Sequence, residues 1–126
     1  CFQYDAVLHR RHRGVGLMWI FTKYGFITVS QHKRVEEQFM VKSRVRTPLD
    51  ILWPESEITI LPEVDYRFRI SIPKTEAMEV LSNLISSIDY SNFKNACEED
   101  AAYWRTLNKI WIELSEYQFR VEHNRH

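Results

Sequence analysis

The chain is poor in the residues that mark special architectures. Only two of its 126 residues are cysteine, Cys1 and Cys97, and they lie almost a chain length apart with no CxxC pair and no Cys/His ligand spacing. Such a distribution argues against a disulfide framework and against a zinc site, and a reducing cytoplasm is the expected compartment. Three glycines and four prolines are too few for a fibrous or low-complexity chain. No stretch approaches the roughly 18 apolar residues of a membrane-spanning helix, so no membrane partner is expected. An excess of one charge is lacking too: seventeen Lys and Arg face seventeen Asp and Glu. No global field therefore draws the chain toward nucleic acid or a lipid surface, and any electrostatic partner must be met by a local patch. GxGxxG, GxxxxGK[ST] and HExxH are all missing, and no cofactor or metal is expected.

What is present is the composition of an ordinary globular domain, 44% hydrophobic and 27% charged. The length suits one core. Residues 1–17 carry Arg10, Arg11 and Arg13 with His9 and His12 but no initiator Met, whereas Met18 stands directly before the apolar run Trp19-Ile20-Phe21. Translation is expected to start at Met18, with residues 1–17 an upstream extension or a disordered arm. The functional alternative is a basic arm that touches phosphate. The expected domain spans residues 18–119, followed by a polar tail over residues 120–126.

Residues 18–30 are rich in aromatic and β-branched side chains, and read as one strand with a bulge or bend at Gly25. After the glycine, Ile27 and Val29 alternate with Phe26, Thr28 and Ser30. Past a polar segment, Phe39, Val41, Ser43 and Val45 alternate with Met40, Lys42, Arg44 and Arg46, a second period-two run that suggests a hairpin with the first. Thr47-Pro48 signals a short helix carrying Leu49, Leu52 and Trp53. Residues 58–61 form a brief third strand. Residues 65–73 form a fourth, with Tyr66, Phe68, Ile70 and Ile72 inward and Arg67, Arg69 and Ser71 outward. Thr75 is expected to cap a second helix, whose stripe of Ala77, Val80, Leu81, Leu84, Ile85 and Ile88 faces the sheet. A last helix is expected from about Glu98 to about Phe119, with Trp104, Leu107, Trp111 and Leu114 on one face. The order β-β-α-β-β-α-α implies an α+β two-layer sandwich, a four-stranded antiparallel sheet with helices on one face, ferredoxin-like in its layers.

The segments Met18-Trp19-Ile20-Phe21-Thr22 with Gly25-Phe26, Asp65-Tyr66-Arg67-Phe68-Arg69, and Ile88-Asp89-Tyr90-Ser91-Asn92-Phe93-Lys94 together resemble a family of small uncharacterised bacterial proteins that open on this MWIFT pattern. The resemblance covers about residues 18–118. It implies a start site and a domain extent, and it brings no activity or catalytic residues with it.

The most informative constellation is the sheet face turned away from the helices. Pleating is expected to place Phe26, Lys42, Arg44, Arg46, Arg67 and Arg69 there, a basic surface with one aromatic platform for an anion or a nucleic-acid phosphate such as that of RNA. The plainer reading is a solvated face, or a dimer contact met by Glu98, Glu99 and Asp100 of another copy. Trp104 and Trp111 give the last helix more apolar area than solvent exposure suits, so a homodimer contact is expected there.

The catalytic inventory is thin. His32, His123 and His126 stand at no regular spacing from carboxylates, Cys97 precedes an acidic run that disfavours its thiolate, and Asp65 and Asp89 pair only if the fold unites them. The reading is a binding or interaction module rather than an enzyme. The alternative is a small-molecule enzyme or pocket between sheet and helices, lined by Trp19, Tyr66, Trp104 and Trp111.

Overall fold

The computed structural model describes residues 17–124. The basic arm and His126 lie outside the described residues. The chain divides into two compact units, one ending at Ile88 and the next beginning at Asp89.

The first unit is a five-stranded, wholly antiparallel sheet with two helices. In chain order it comprises β1 (Leu17–Thr22), β2 (Gly25–Gln31), β3 (Gln38–Ser43), α1 (Thr47–Leu52), β4 (Thr59–Ile60), β5 (Phe68–Pro73) and α2 (Lys74–Ser86). The spatial order is β1-β2-β3-β5-β4. The α+β class thus stands, but the sheet has five strands rather than four because residues 18–30 fold back on themselves instead of running on as one strand.

Gly25 is the cause. Its φ of +142° is a conformation that side-chain-bearing residues rarely adopt, and the chain reverses between Thr22 and Gly25, which pair across the hairpin. Thr22 closes the turn, its hydroxyl donating to the Gly25 carbonyl at 2.8 Å and accepting from the Tyr24 N–H at 3.1 Å. The missing side chain is needed a second time, since a Cβ at residue 25 would lie 2.9 Å from the Pro48 ring. One glycine therefore turns the hairpin and lets α1 approach it.

Cross-strand register fixes which side chains share a face. Val29, Val41 and Ile70 stand side by side on β2, β3 and β5, as do Ile27, Ser43 and Phe68 in the next row of this face. Leu49 and Trp53 from the α1 segment and Ala77 from α2 close over them, completing a core with Ile72. Each wholly buried isoleucine contributes about 2–3 kcal/mol of transfer free energy, and the β-branched run supplies both that burial and strand preference. Ser43 is buried in this layer and satisfied, its hydroxyl donating to the Phe26 and Val45 carbonyls.

The helix signals need adjustment. Arg46, not Thr47, is the N-cap of α1, and Pro73 is that of α2, with no side-chain cap in either case. Thr75 lies inside α2 because β5 runs into the helix without a loop. Ala77, Val80 and Leu81 pack on the core, but Ile85 and Ile88 are exposed. The first two turns of α2 cover the sheet, and the remainder of the apolar stripe does not.

The second unit contains α3 (Phe93–Ala96) and α4 (Ala101–His123). Asn92 caps α3 by accepting from the Asn95 N–H, and Asp100 caps α4 by accepting from the Tyr103 N–H, each at 3.1 Å. At 23 residues α4 is about 34 Å long. It runs through most of the segment expected as a polar tail, where the His123 ring stacks on Phe119 at 4.0 Å and its Nδ1 lies 2.9 Å from the Phe119 carbonyl oxygen.

Candidate phosphate-binding sheet face

The face opposite α1 and α2 is organised by a register row that crosses the sheet. Trp19 pairs with Thr28, Thr28 with Lys42, Lys42 with Arg69, and Arg69 with Thr59. Strands lie about 4.8 Å apart, so Lys42 and Arg69 are immediate neighbours and Trp19 stands about 10 Å from Lys42. Thr28 between them is wholly buried.

An aromatic ladder borders this row. Phe21 and Phe26, opposite each other on β1 and β2, stack at 4.6 Å. Trp19 meets the Phe26 ring edge to face at 5.4 Å, and Tyr66 follows at 6.4 Å from Phe26. Arg44 closes the ladder with its guanidinium 4.3 Å from the Tyr66 ring centre. The same guanidinium binds Asp65 at 2.6 Å. That hydrogen bond raises the Arg44 pKa and holds the Asp65 carboxyl below its usual range.

Lys42 and Arg69 have no such acid. Each is half-buried, and neither forms an ion pair with the described residues. Arg69 donates one Nη2 bond to the Tyr66 carbonyl at 2.8 Å, while its Nε is buried with no acceptor. The Thr28 hydroxyl in the same row is likewise buried without a partner. Burial first, then the charges of Arg69 and Lys33, pushes the Lys42 pKa down. Like charges directly opposed on a sheet destabilise it, and among the described residues no carboxylate compensates this pair.

Of the six residues expected on this face, Phe26, Lys42 and Arg69 lie on one face of the sheet, with Arg44 beside them but engaged by Asp65. Arg46 caps α1 and pairs with Asp50 at 3.1 Å. Arg67 is exposed and precedes β5. Neither joins the row, because strand alternation stops at Ser43 and resumes only at Phe68. Tyr66 falls outside the strand for the same reason and lies with Phe26 rather than inward.

Trp19 and Phe21 are the functional candidates that sequence reasoning placed elsewhere or passed over. Counting the alternation back from Ile27 through a two-residue turn at Lys23-Tyr24 would have put Trp19 opposite Thr28. The expected pocket between sheet and helices loses two of its walls, since Trp19 and Tyr66 are on the opposite face. Trp104 and Trp111 belong to the second unit. There Trp104 is half-buried and Trp111 is 57% exposed, with Lys94 Nζ over its ring at 4.8 Å.

The other chemical candidates have structural places. His32 Nδ1 accepts from the Arg34 and Val35 N–H groups at 3.0 and 3.1 Å, and Gln31 Nε2 donates into the carbonyls of the same loop, so both side chains shape the β2–β3 connection. Cys97 is buried at the end of α3. Burial, then the proximity of Cys97 and Asp100, pushes the Tyr103 hydroxyl pKa far up. Among the described residues no group of three or more His, Cys, Asp or Glu could hold a metal, and no helix is long and apolar enough to cross a membrane.

Compared with protein-family models, with curated proteins and with solved structures, the chain matches none.

Proposed function

We propose that this chain is a binding module whose sheet face takes a phosphate-bearing anion at Lys42 and Arg69. The observation that carries the reading is the direct opposition of these two cations across β3 and β5, with no carboxylate among the described residues paired to either. An anion seated there offsets their mutual repulsion. Lys42 offers a point charge and Arg69 a planar fork of donors, a combination suited to phosphate oxygens.

The test is titration with inorganic tripolyphosphate at low salt, followed by calorimetry. Joint replacement Lys42→Ala and Arg69→Ala should weaken binding at least tenfold while circular dichroism stays unchanged. Arg67→Ala, outside the row, should bind as the parent does. A parent chain that binds neither tripolyphosphate nor an oligonucleotide overturns the proposal.

Self-association is a second part of the reading, and α4 favours it. Trp111, Leu114, Tyr117 and Val121 are all exposed on this helix, and with Trp104 and Leu107 they recur near the three- and four-residue spacing of a helix-pairing seam. Arg105 and Lys109 lie in its first half without an acid, and Glu113, Glu116 and Glu122 dominate its second. Antiparallel pairing with a second copy sets these halves against each other.

A further inference from the structure

Resting on that phosphate-binding reading, we infer that the occupant of the sheet face is single-stranded nucleic acid, with a base stacked on Trp19 and the adjoining phosphate held by Lys42 and Arg69. The inference starts from a feature that phosphate binding alone does not require. Trp19 is 61% exposed, yet it is braced from beneath: its ring meets Phe26 at 5.4 Å and Phe21 at 6.4 Å, both edge to face. An indole held upright by two rings has little rotamer freedom left to lose on stacking, which lowers the entropic cost of using it as a platform.

The spacing suits one nucleotide. Trp19 and Lys42 occupy the same register row two strands apart, about 10 Å at ordinary strand separation, which is within the reach of a base and the phosphates of its own backbone. Thr28 between them is wholly buried, so the strand backbone sets the spacing from platform to cation and the Thr28 side chain itself offers the ligand no contact. Arg44, which could have offered a further cation, is committed to Asp65 and Tyr66, and this limits the charged part of the site to the Lys42–Arg69 pair with Lys33 nearby.

The same geometry decides between single strand and duplex. A duplex keeps its bases stacked within the helix and offers a side chain only groove edges and phosphates, leaving Trp19 without a face to stack on. An unpaired base has a free face, and base–aromatic stacking is tolerant of sequence. The face should accordingly bind single strands with little sequence preference.

The experiment uses the full chain and fluorescence anisotropy of end-labelled oligonucleotides of equal length: a base-bearing single strand, an abasic strand of the same backbone, and a duplex. The base-bearing strand should bind at least tenfold more tightly than the abasic one, and more tightly than the duplex. Trp19→Ala should remove that advantage while leaving abasic and tripolyphosphate binding unchanged, and Trp19→Phe should restore part of it. With one phosphate neutralised by the Lys42–Arg69 pair, the logarithm of the binding constant should fall with the logarithm of salt at a slope of about −0.7. Equal binding of abasic and base-bearing strands overturns this inference and leaves the phosphate site standing. Tighter binding of duplex overturns it too, and absence of binding to every anionic polymer overturns both readings.

Discussion

Lys42 shows how a single side chain links the fold to the proposed chemistry. Strand alternation puts it on the face opposite Val41, and register puts Arg69 directly beside it. Burial, followed by the charges of Arg69 and Lys33, favours its neutral form and lowers its pKa from the ordinary lysine value. A bound phosphate favours the charged form. Below the lowered pKa the ammonium is already present and affinity should be flat. As pH rises through that pKa, binding must take up a proton, so affinity should fall before the ordinary lysine range is reached. Anisotropy titrations from neutral to strongly alkaline pH check this, and Lys42→Arg should flatten the profile over the same range. A parallel decline in both proteins would mean that another group controls the binding. Lys42 and Arg69 were legible in the sequence because both lie inside strands where period two holds. Arg46 and Arg67 were not, because each lies beyond a strand end, where the backbone turns and a local partner or cap decides direction; Arg44 reaches the same face, but its engagement by Asp65 gave no signal in the strand period.

Elements were legible to the extent that their signal was local. The alternation of β2, β3 and β5 and the apolar spacing of α2 and α4 could all be read from side-chain periodicity, since burial on one face imposes it. The hairpin of β1 and β2 was not, because Lys23-Tyr24 carries none of the Asn-Gly or Gly-Gly signals of a two-residue turn, and the strain is taken by Gly25 after it. The stripe on α2 was read correctly as apolar, but nothing in the spacing reveals that the sheet ends beneath its second turn. On α4 the stripe is exposed as well, with Trp111 at 57%, Leu114 at 60% and Tyr117 at 59%. This exposed stripe is the surface proposed for self-association. Leu114→Arg places a long cation in the middle of that stripe without touching the caps at Asp100 or Asn124. Light scattering should then report a dimer for the parent chain and a monomer for the variant, with helix content by circular dichroism unchanged. A parent chain that remains monomeric at high protein concentration removes the basis for the pairing.

At the scale of the whole molecule, the two proposed properties fall in different units. All eight residues of the buried core cluster, from Ile27 to Ala77, precede Ile88. So do Trp19, Lys42, Arg69 and the rest of the sheet face. The apolar stripe of α4 lies beyond Asp89. Within the first unit every strand pairs with at least one other strand of the same unit, and α1 and α2 cover one face. A chain ended after Ile88 should therefore unfold in one cooperative thermal transition, as single domains of this size do, and should bind single-stranded oligonucleotide within a fewfold of the parent affinity. It should also be monomeric by light scattering under conditions where the parent dimerises. A shortened chain that melts without cooperativity would show that the first unit depends on the second for its fold. One that folds but no longer binds would place part of the ligand site in residues beyond 88, and one that folds and still dimerises would move the association surface from α4 to the sheet unit.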